Sequence, residues 1–395
     1  MRRAAVYFIV LLLARGMGAA VLRNRQYLGS SKVTAITGLA TDSKGFIYEV
    51  GTTAWPDFPT TPGPFSRFSG SRGYTNLTGD VFIRKLSPDG KQVVFSVLVG
   101  GSGDETSGGV AVDVQGNVYV TGYTDSPDCP VTSPSSHKPS QNDADAFVFE
   151  IDSSGTRLIF SRLIGGSGFE TAAGIAVTPD GRVVIAGTTS SPDFPTTPNA
   201  VQGAAAASGG AFVVRLAGGV IDYATYLGGT GGASGEDIAV DSAGDIYVTG
   251  FAGPFFPTLA TSFAPQAPFG GYVTKLDHVT GQLLYSTYLP GVSPPPEGLA
   301  AKLVIRVDAK HHAYVAGPPL LASRQRREPF RPKPPAIHSF FTPKRTHSCS
   351  NSTMAAPSWY SQPFSAVQVT TSRPGWLSQA TQLRSPASRT RSSSR

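Results

Sequence analysis

Cysteine is almost absent from this chain, which has only Cys129 and Cys349 among its 395 residues. Two cysteines cannot build a disulfide framework. Cys129 stands where other copies of a repeat carry phenylalanine, so we interpret it as a small buried apolar residue. Charged residues are scarce as well, at 15%, whereas glycine and proline number 45 and 32. Abundant turn formers together with β-branched and aromatic residues predict many short strands.

Motifs for catalysis and cofactor binding are also lacking. The sequence has no Gly-x-Ser-x-Gly nucleophile elbow and no Walker phosphate loop, and its six histidines show no zinc-ligand spacing. Residues 100–105 and 165–170 are glycine-rich, but they recur as connectors and no Lys-Ser/Thr helix follows them. We therefore assign no catalytic, cofactor-binding or metal-binding residue from the sequence.

The positive charge of the chain belongs to its two ends. Residues 318–395 hold 12 basic residues and one acid, and residues 1–25 hold five arginines and no acid. The remaining body, residues 26–317, carries a net charge of −9 although the whole chain carries +7. An acidic body argues against a folded basic face for nucleic acid.

Residues 1–20 have the pattern of a signal peptide for export. Arg2 and Arg3 precede an apolar stretch over residues 4–14, and small residues occupy positions 18–20. The apolar stretch is too short for a helix that spans a bilayer. The alternative is an untargeted buried segment, and the export interpretation predicts a secreted or cell-surface protein.

A repeat with a period of 62–71 residues organises residues 27–317. Its clearest landmark is a tight turn in which an Asx side chain caps the backbone and glycine supplies a positive φ. A strand follows each turn and ends at a glycine. The turn copies are Asp42-Ser-Lys-Gly-Phe-Ile-Tyr, Asp113-Val-Gln-Gly-Asn-Val-Tyr, Thr178-Pro-Asp-Gly-Arg-Val-Val, Asp241-Ser-Ala-Gly-Asp-Ile-Tyr and the degraded Asp308-Ala-Lys-His-His-Ala-Tyr.

Each period contains four strand candidates, the number in one blade of a β-propeller. The first is small and apolar, as in Gly109-Val-Ala-Val, which suits the crowded position nearest the axis. The second follows the tight turn. The third and fourth each carry one recurring aromatic residue, which we expect between stacked blades. These are the third-strand aromatics Phe82, Phe147, Phe212 and Tyr272 and the fourth-strand aromatics Phe95, Phe160, Tyr223 and Tyr285.

A proline-rich connector follows the second strand in four copies. It reads Trp55-Pro-Asp-Phe-Pro-Thr, Ser126-Pro-Asp-Cys-Pro-Val, Ser191-Pro-Asp-Phe-Pro-Thr and Gly253-Pro-Phe-Phe-Pro-Thr. Two prolines around an apolar residue predict a stiff segment with a hydrophobic plug. A proline-rich ligand surface is the alternative that we disfavour, because the connector recurs once per blade.

These motifs together resemble the bacterial seven-bladed β-propeller repeat (SBBP) family of exported and cell-surface proteins. The resemblance rests on Leu227-Gly-Gly-Thr-Gly, on Ala-Val-Asp-x-x-Gly-x-x-Tyr-Val-Thr-Gly over residues 111–122 and 239–250, and on Ser191-Pro-Asp-Phe-Pro-Thr-Thr. It implies an all-β propeller and a surface location, and it supplies no catalytic residue.

The repeat count departs from that family. We expect four blades of four antiparallel strands at about residues 29–96, 100–161, 165–225 and 228–287, and a partial copy at 290–317. Either the partial copy closes a five-bladed ring with a strand near residues 22–28, or the propeller is incomplete. The Ser/Pro/Arg-rich tail, residues 318–395, has no blade motif. We interpret it as disordered or as a frameshifted end, with a basic tail for an acidic polymer or membrane as a third alternative.

Recurring acids are the candidate functional side chains of the body. Glu105 and Glu170 precede inner strands, with Asp104, Glu236 and Asp237 nearby. If they met on one rim, their oxygens would suit calcium; ordinary loop capping is the interpretation that we favour.

At His311 and His312, which replace the turn glycine of the fifth copy, we favour relaxed constraint over metal binding.

We therefore predict a non-enzymatic propeller scaffold that binds a protein or carbohydrate ligand at the cell surface. We predict no cofactor, no nucleic acid partner and no membrane span. Two alternatives stay open. One is a propeller lyase or hydrolase with a site built from rim loops of several blades, and the other is a truncated fragment without function.

Overall fold

The computed structural model describes residues 34–65, 69, 79–133, 139, 143–205, 209–292 and 302–317, and the backbone of one further strand. Every regular element in these ranges is a β-strand. No helix in them is long and apolar enough to cross a membrane. The predicted signal peptide and the strand near residues 22–28 lie outside the described residues.

Sixteen strands form four antiparallel sheets, each with its strands in chain order. We call them the first to fourth blades. The first blade contains β1 (Thr34–Thr41), β2 (Ile47–Thr53), β3 (Asp80–Leu86) and β4 (Val93–Val99). The second contains β5 (Glu105–Val112), β6 (Val118–Thr124), β7 (Asp145–Ile151) and β8 (Leu158–Ile164). The third contains β9 (Glu170–Val177), β10 (Val183–Thr189), β11 (Gly210–Ala217) and β12 (Val220–Leu227). The fourth contains β13 (Asp237–Val240), β14 (Ile246–Ala252), β15 (Gly270–Leu276) and β16 (Leu283–Leu289).

The fifth copy is a half-blade of two strands, β17 (Val304–Val307) and β18 (Ala313–Gly317). A strand from the tail, β19 (Ser365–Val369), pairs antiparallel with β18. From the sequence we expected no blade strand beyond Gly317, and these five residues differ from that expectation. Their Ser-Ala-Val-Gln-Val sequence contains two β-branched valines, which favour a strand where the edge of β18 offers unpaired backbone groups.

The turn before each second strand is held by its own first side chain. Asp113 Oδ1 accepts hydrogen bonds from the backbone N–H groups of Gln115 and Asn117 at 2.9 and 2.8 Å. Gly116 takes a φ of +86°, which a side chain rarely adopts. Asp42, Asp241 and Asp308 make the same pair of bonds. The predicted turn chemistry is confirmed.

The glycines that were predicted to end the second strands lie two residues before those ends in the four complete blades, and an aromatic ring lies across each of them. Gly122 is paired in register with Phe147, and a Cβ at Gly122 would approach that ring to 2.8 Å. Gly51, Gly187 and Gly250 face Phe82, Phe212 and Tyr272 in the same way. All four third-strand aromatics are completely buried, so the prediction that they occupy equivalent places is confirmed.

The proline-rich connectors supply apolar plugs, as predicted. Phe58 and Phe194 stack on the third-strand aromatics of their own blades with ring centroids 4.8 and 4.7 Å apart. Phe256 lies 4.2 Å from Tyr272. Cys129 takes the equivalent buried place in the second blade.

Neighbouring blades share apolar layers. One layer joins the first and second blades, including Val50 and Phe149, and further layers join the second to the third, the third to the fourth, and the fourth to the half-blade. A single four-stranded sheet cannot cover both of its faces, so the blades stabilise one another by stacking.

The outer face of the half-blade is open. Tyr314 is 39% exposed, whereas Tyr48, Tyr119 and Tyr247 at the equivalent position are at most 5% exposed. Those three residues pack towards the following blade. Closure of the ring to five blades stays a prediction.

Candidate functional site

The inner strands of all five sheets line one axial cavity of about 670 Å³. β1, β5, β9, β13 and β17 each contribute to its wall, which confirms the predicted innermost position of the small first strands. The walls approach closely because they are rich in glycine and alanine. A Cβ at Gly108, for example, would overlap the carbonyl oxygen of Ala172 in the next blade.

Most of the cavity wall is apolar or backbone. The wall includes Ile36 and Leu39 from β1, Ile175 from β9 and Ile238 from β13. Ile175 and Ile238 are also buried in the apolar layers between blades. Leu39 is 54% exposed, so this wall is open to a ligand. Side chains of this kind bind through apolar contact and shape, with backbone groups available for hydrogen bonds.

The charged residues in the cavity wall come from the fourth blade and the half-blade. Arg306 lies 2.8 Å from Asp237 in an ion pair. Lys302 donates a hydrogen bond to the carbonyl oxygen of Ala173 at 2.7 Å, which links the half-blade to the third blade. The acid and both bases therefore already have partners within the protein.

The tight turns form the rim at one end of the blades. The turns that begin at Asp113, Thr178 and Asp241 surround a hollow of about 520 Å³. Asp241 accepts hydrogen bonds from Tyr247 at 2.9 Å and Lys275 at 3.1 Å. Burial raises the pKa of Asp241, but hydrogen bonds from His311, Lys275 and Tyr247 outweigh burial and lower it to about 2.

His311 keeps the constraint of the glycine that it replaces. Its φ is +64°, within the left-handed region, and its Nδ1 lies 2.8 Å from Asp241 Oδ2 in the preceding blade. The favoured sequence interpretation of relaxed constraint was wrong here, because the side chain holds the half-blade turn against the fourth blade. His312 bonds to Asp308 in its own turn.

The predicted rim acids Glu105 and Glu170 are buried and lie at two different blade junctions. Glu105 accepts hydrogen bonds from Thr124 at 2.5 Å, from the Ser126 hydroxyl and from the backbone N–H of Gly101 at 3.0 Å. Burial raises the pKa of Glu105 above its ordinary value, and these hydrogen bonds offset part of that rise.

Glu170 repeats this arrangement with Thr189, Ser191 and Gly166 at 2.5, 2.5 and 3.0 Å. Both glutamates therefore hold the glycine-rich connector against the proline-rich one. This is a structural role that the sequence analysis stated only as loop capping.

The other three acids have separate environments. Asp104 lies in the connector beside Asp125, whose carboxylate accepts its backbone N–H at 2.6 Å. Glu236 accepts a hydrogen bond from Ser234 at 2.9 Å, and Asp237 pairs with Arg306. Among the described residues these five acids form no common group of metal ligands, because each accepts its hydrogen bonds or ion pair from its own local partners.

A group of two acids and a histidine, which the sequence analysis missed, lies outside the cavity. Oxygen and nitrogen atoms of Asp245, Asp277 and His278 lie within 4.8 Å of one another. Lys275 lies 2.8 Å from Asp245, and His278 lies 2.9 Å from it. The Lys275 ammonium therefore offsets part of the negative charge of this group. Asp245 is 32 residues before Asp277 in the chain, so no local spacing signalled the group.

In a comparison with protein families, residues 94–127 and 222–250 of this chain match the SBBP family, which is described as a beta-propeller repeat. The chain contains SBBP repeats. The first match runs from the fourth strand of one blade through the first two strands of the next, and the second lies across the equivalent junction of the third and fourth blades. The matches therefore cover the Gly-Gly connector, the inner strand and the tight turn. Comparison with curated proteins gives no match.

Several solved structures are similar to this chain. A gluconolactonase from Xanthomonas campestris is 15% identical, with 71% of this chain and 68% of that chain covered and a TM-score of 0.34. A protein of unknown function from Dyadobacter fermentans DSM 18053 is 12% identical, with 74% and 75% covered and a TM-score of 0.39. TolB from Acinetobacter baumannii is 12% identical, with 76% and 55% covered and a TM-score of 0.33. We transfer no activity from likenesses at these scores.

Proposed function

We propose that this chain is a non-catalytic propeller scaffold, secreted or at the cell surface, that binds a protein or carbohydrate ligand in its axial cavity. The observation that carries the proposal is the composition of that cavity. Its wall is built mainly from apolar side chains and glycine backbone, and its three charged residues already have protein partners.

A catalytic site in a propeller would bring titratable side chains from several blades to one place. In the part of the chain that the structure describes, the cavity wall contains one acid, Asp237 from the fourth blade, and two bases. The bases are Lys302, which precedes β17, and Arg306, which lies in β17. No serine or cysteine nucleophile is among the residues of that wall. This arrangement supports binding over catalysis.

The recurrent buried acids support the same proposal. Glu105 and Glu170 are completely buried, and their carboxylates accept hydrogen bonds from the connectors that they join. Both residues therefore stabilise the scaffold, and neither of them lines the axial cavity. The signal-peptide pattern of residues 1–20 and the SBBP repeats support the surface location.

A variant that fills the cavity tests the proposal. Leu39→Trp places a large ring in the axial space, and Val220→Trp is the matched control because Val220 is 63% exposed at the start of an outer strand. The full chain would be screened against arrays of neutral oligosaccharides and extended peptides. We expect saturable binding of at least one probe, weakened about tenfold or more by Leu39→Trp and unchanged by the control.

Two outcomes would contradict the proposal. Binding that Leu39→Trp leaves unchanged would place the ligand elsewhere. Hydrolysis of ester, lactone or oligosaccharide probes by the wild-type chain, abolished by Asp237→Asn, would show that the cavity is an active site.

A further inference from the structure

In the second and third blades, the glycine-rich connector binds a carboxylate of the proline-rich connector. Asp128 Oδ1 accepts hydrogen bonds from the backbone N–H and from the hydroxyl of Ser102, both at 2.8 Å. Asp193 repeats this arrangement with Ser167 at 2.9 and 2.8 Å. We call this pair of donors, one backbone N–H and one hydroxyl on the same residue, the carboxylate seat.

The fourth blade has the donors of the seat without the acid. Thr230 stands where the other two connectors have serine, and Phe255 stands where they have aspartate. The connectors still lie together, because a Cβ at Gly229 would lie 2.5 Å from the carbonyl carbon of Phe255. Thr230 is exposed in the tight turn that the hydrogen bond from Gly232 N–H to Gly229 closes at 3.1 Å. Within the described part of the chain, its own N–H and hydroxyl donate to no protein acceptor.

Phe255 is strained and exposed, although the fold gains little from it. Its φ is +60°, in the left-handed region that bulky residues rarely adopt. Its side chain is 81% exposed, and the plug of this connector is the next residue, Phe256, which lies 4.2 Å from Tyr272. A strained residue that does not fill the core indicates a role in binding.

Two more exposed rings lie in the same connector. Phe263 is 87% exposed and Phe269 is 48% exposed. We call them, together with Phe255, the aromatic patch. Residues 253–269, which contain the patch, have no charged side chain. Aromatic residues without charged neighbours are typical of the centre of a protein interface.

The three rings belong to one surface, because the residue next to each of them in the chain lies against Tyr288. Phe256 donates its backbone N–H to the Tyr288 hydroxyl at 3.1 Å. The carbonyl oxygen of Ala264 accepts the backbone N–H of Tyr288 at 3.0 Å. A Cβ at Gly270 would lie 3.9 Å from the Tyr288 ring. The hydroxyl of Tyr288 also donates to the carbonyl oxygen of Gly253 at 2.6 Å, where the connector begins.

We propose that the carboxylate seat and the aromatic patch of the fourth blade form one binding site for an extended peptide segment in which an acidic side chain lies between apolar ones. The carboxylate of the ligand accepts the hydrogen bonds of Thr230, as Asp128 and Asp193 accept those of the equivalent serines. Its apolar side chains pack on the exposed rings. Hydrogen bonds to a charged acceptor are stronger than neutral ones, and rigid aromatic residues contribute most of the affinity in many interfaces.

The chain itself shows which occupant suits the seat. In the second and third blades the seat holds an aspartate from a Pro-Asp-Phe/Cys-Pro segment, so its natural occupant is an acidic side chain of a polypeptide. An anionic bilayer suits this surface less well, because residues 227–235 and 253–269 contain no base and the body of the chain is acidic. Neither Thr230 nor the aromatic patch lines the axial cavity, so this proposal does not depend on the proposed function.

Two labelled peptides with blocked ends test the chemistry of the ligand. The first has the sequence Gly-Leu-Asp-Leu-Gly, and in its matched control asparagine replaces the aspartate. We expect the aspartate peptide to bind the full chain saturably. The asparagine peptide should bind at least about tenfold more weakly, because its neutral amide replaces a charged acceptor.

Variants of the chain test the site. Phe255→Asp restores the acid of the other blades, so the seat should be filled from within and binding of the aspartate peptide should fall at least about tenfold. Phe255→Ala removes the same ring without supplying an acid, and it should weaken binding only about threefold. Thr230→Val keeps the shape of the side chain, removes its hydroxyl and should weaken binding about fivefold. Val114→Asp is the matched control for added charge, because Val114 is 87% exposed in a turn of the second blade, and it should leave binding unchanged.

Several results would overturn the proposal. One is the absence of saturable binding of the aspartate peptide, and another is equal binding of the aspartate and asparagine peptides. Equal losses in Phe255→Asp and Phe255→Ala would show that the seat does not hold the carboxylate. Tighter binding of an oligouronate, or of vesicles of a neutral phospholipid that compete with the peptide, would assign the site to a saccharide or a lipid surface. Loss of binding in Leu39→Trp would place the peptide in the axial cavity, whereas we expect binding to persist in that variant even if the proposed cavity function fails.

Discussion

The hydroxyl of Tyr119 donates a hydrogen bond to the carboxylate of Asp113 over 3.2 Å. The same acid–phenol pair occurs in three other copies, at 3.0, 2.9 and 3.1 Å. In the third blade both members change together, to Thr178 and Val184. The acid and the tyrosine six residues later therefore form one unit that joins the turn to its strand.

We predict that Asp113→Ala destabilises the protein more than Tyr119→Phe does. Tyr119→Phe removes one hydrogen bond and should cost about 1 kcal/mol. Asp113→Ala also removes the acceptor for two backbone N–H groups and should cost about 2 kcal/mol. Urea unfolding would measure both, with the exposed Asp89→Asn as the control. Equal losses would contradict the predicted role of the acid as a cap.

Gly122→Ala should be among the most destabilising substitutions of a small residue. A Cβ would overlap the carbonyl oxygen of Thr106 and press on the Phe147 ring, at a cost of about 3 kcal/mol. Gly203→Ala is the matched control, because no atom lies within 4 Å of a Cβ there, and it should change stability by less than about 0.5 kcal/mol. Thermal unfolding of both variants checks this prediction, and a tolerated Gly122→Ala would refute the packing.

Stability should fall in acid partly through Asp241. Its folded pKa of about 2 lies below the ordinary value of 3.8, so the charged form stabilises the fold above pH 4. This stabilisation, about 2 kcal/mol, disappears as the pH falls from about 4 to 2. Asp241→Asn should flatten that part of the profile of unfolding free energy against pH. His311→Ala should flatten it partly, and an unchanged profile in Asp241→Asn would contradict the prediction.

Glu105 should contribute with the opposite sign. Because burial raises its folded pKa, the charged form is penalised and the carboxyl group costs stability as the pH rises above its ordinary pKa. Glu105→Gln keeps a hydrogen-bond acceptor without the charge. We expect the unfolding free energy of this variant to rise relative to that of the wild-type chain as the pH increases from 4 to 7. A difference that stays constant over that range would show that the charge is not penalised.

The repeat made the blades predictable because its signals are local. Asp113, Gly116 and Tyr119 stand within one turn and strand, and Phe147 lies opposite Gly122 in the neighbouring strand. The group at Asp245 and His278 and the cross-blade role of His311 were not predictable from the sequence, because these contacts join residues of different strands or blades. Burial of Glu105 was equally hidden, since a charged residue before a strand is most often exposed.

The sequence by itself determined the period, the turn chemistry and the aromatic filling, because each of these depends on residues close in the chain or on a pattern repeated in every copy. The tertiary structure alone decided which acids turn inward and what lines the axis. Those properties depend on the neighbours that stacking brings together. The aspartate that begins the tight turn is therefore 34% exposed at Asp308 in the half-blade and fully covered at Asp241 in the fourth blade.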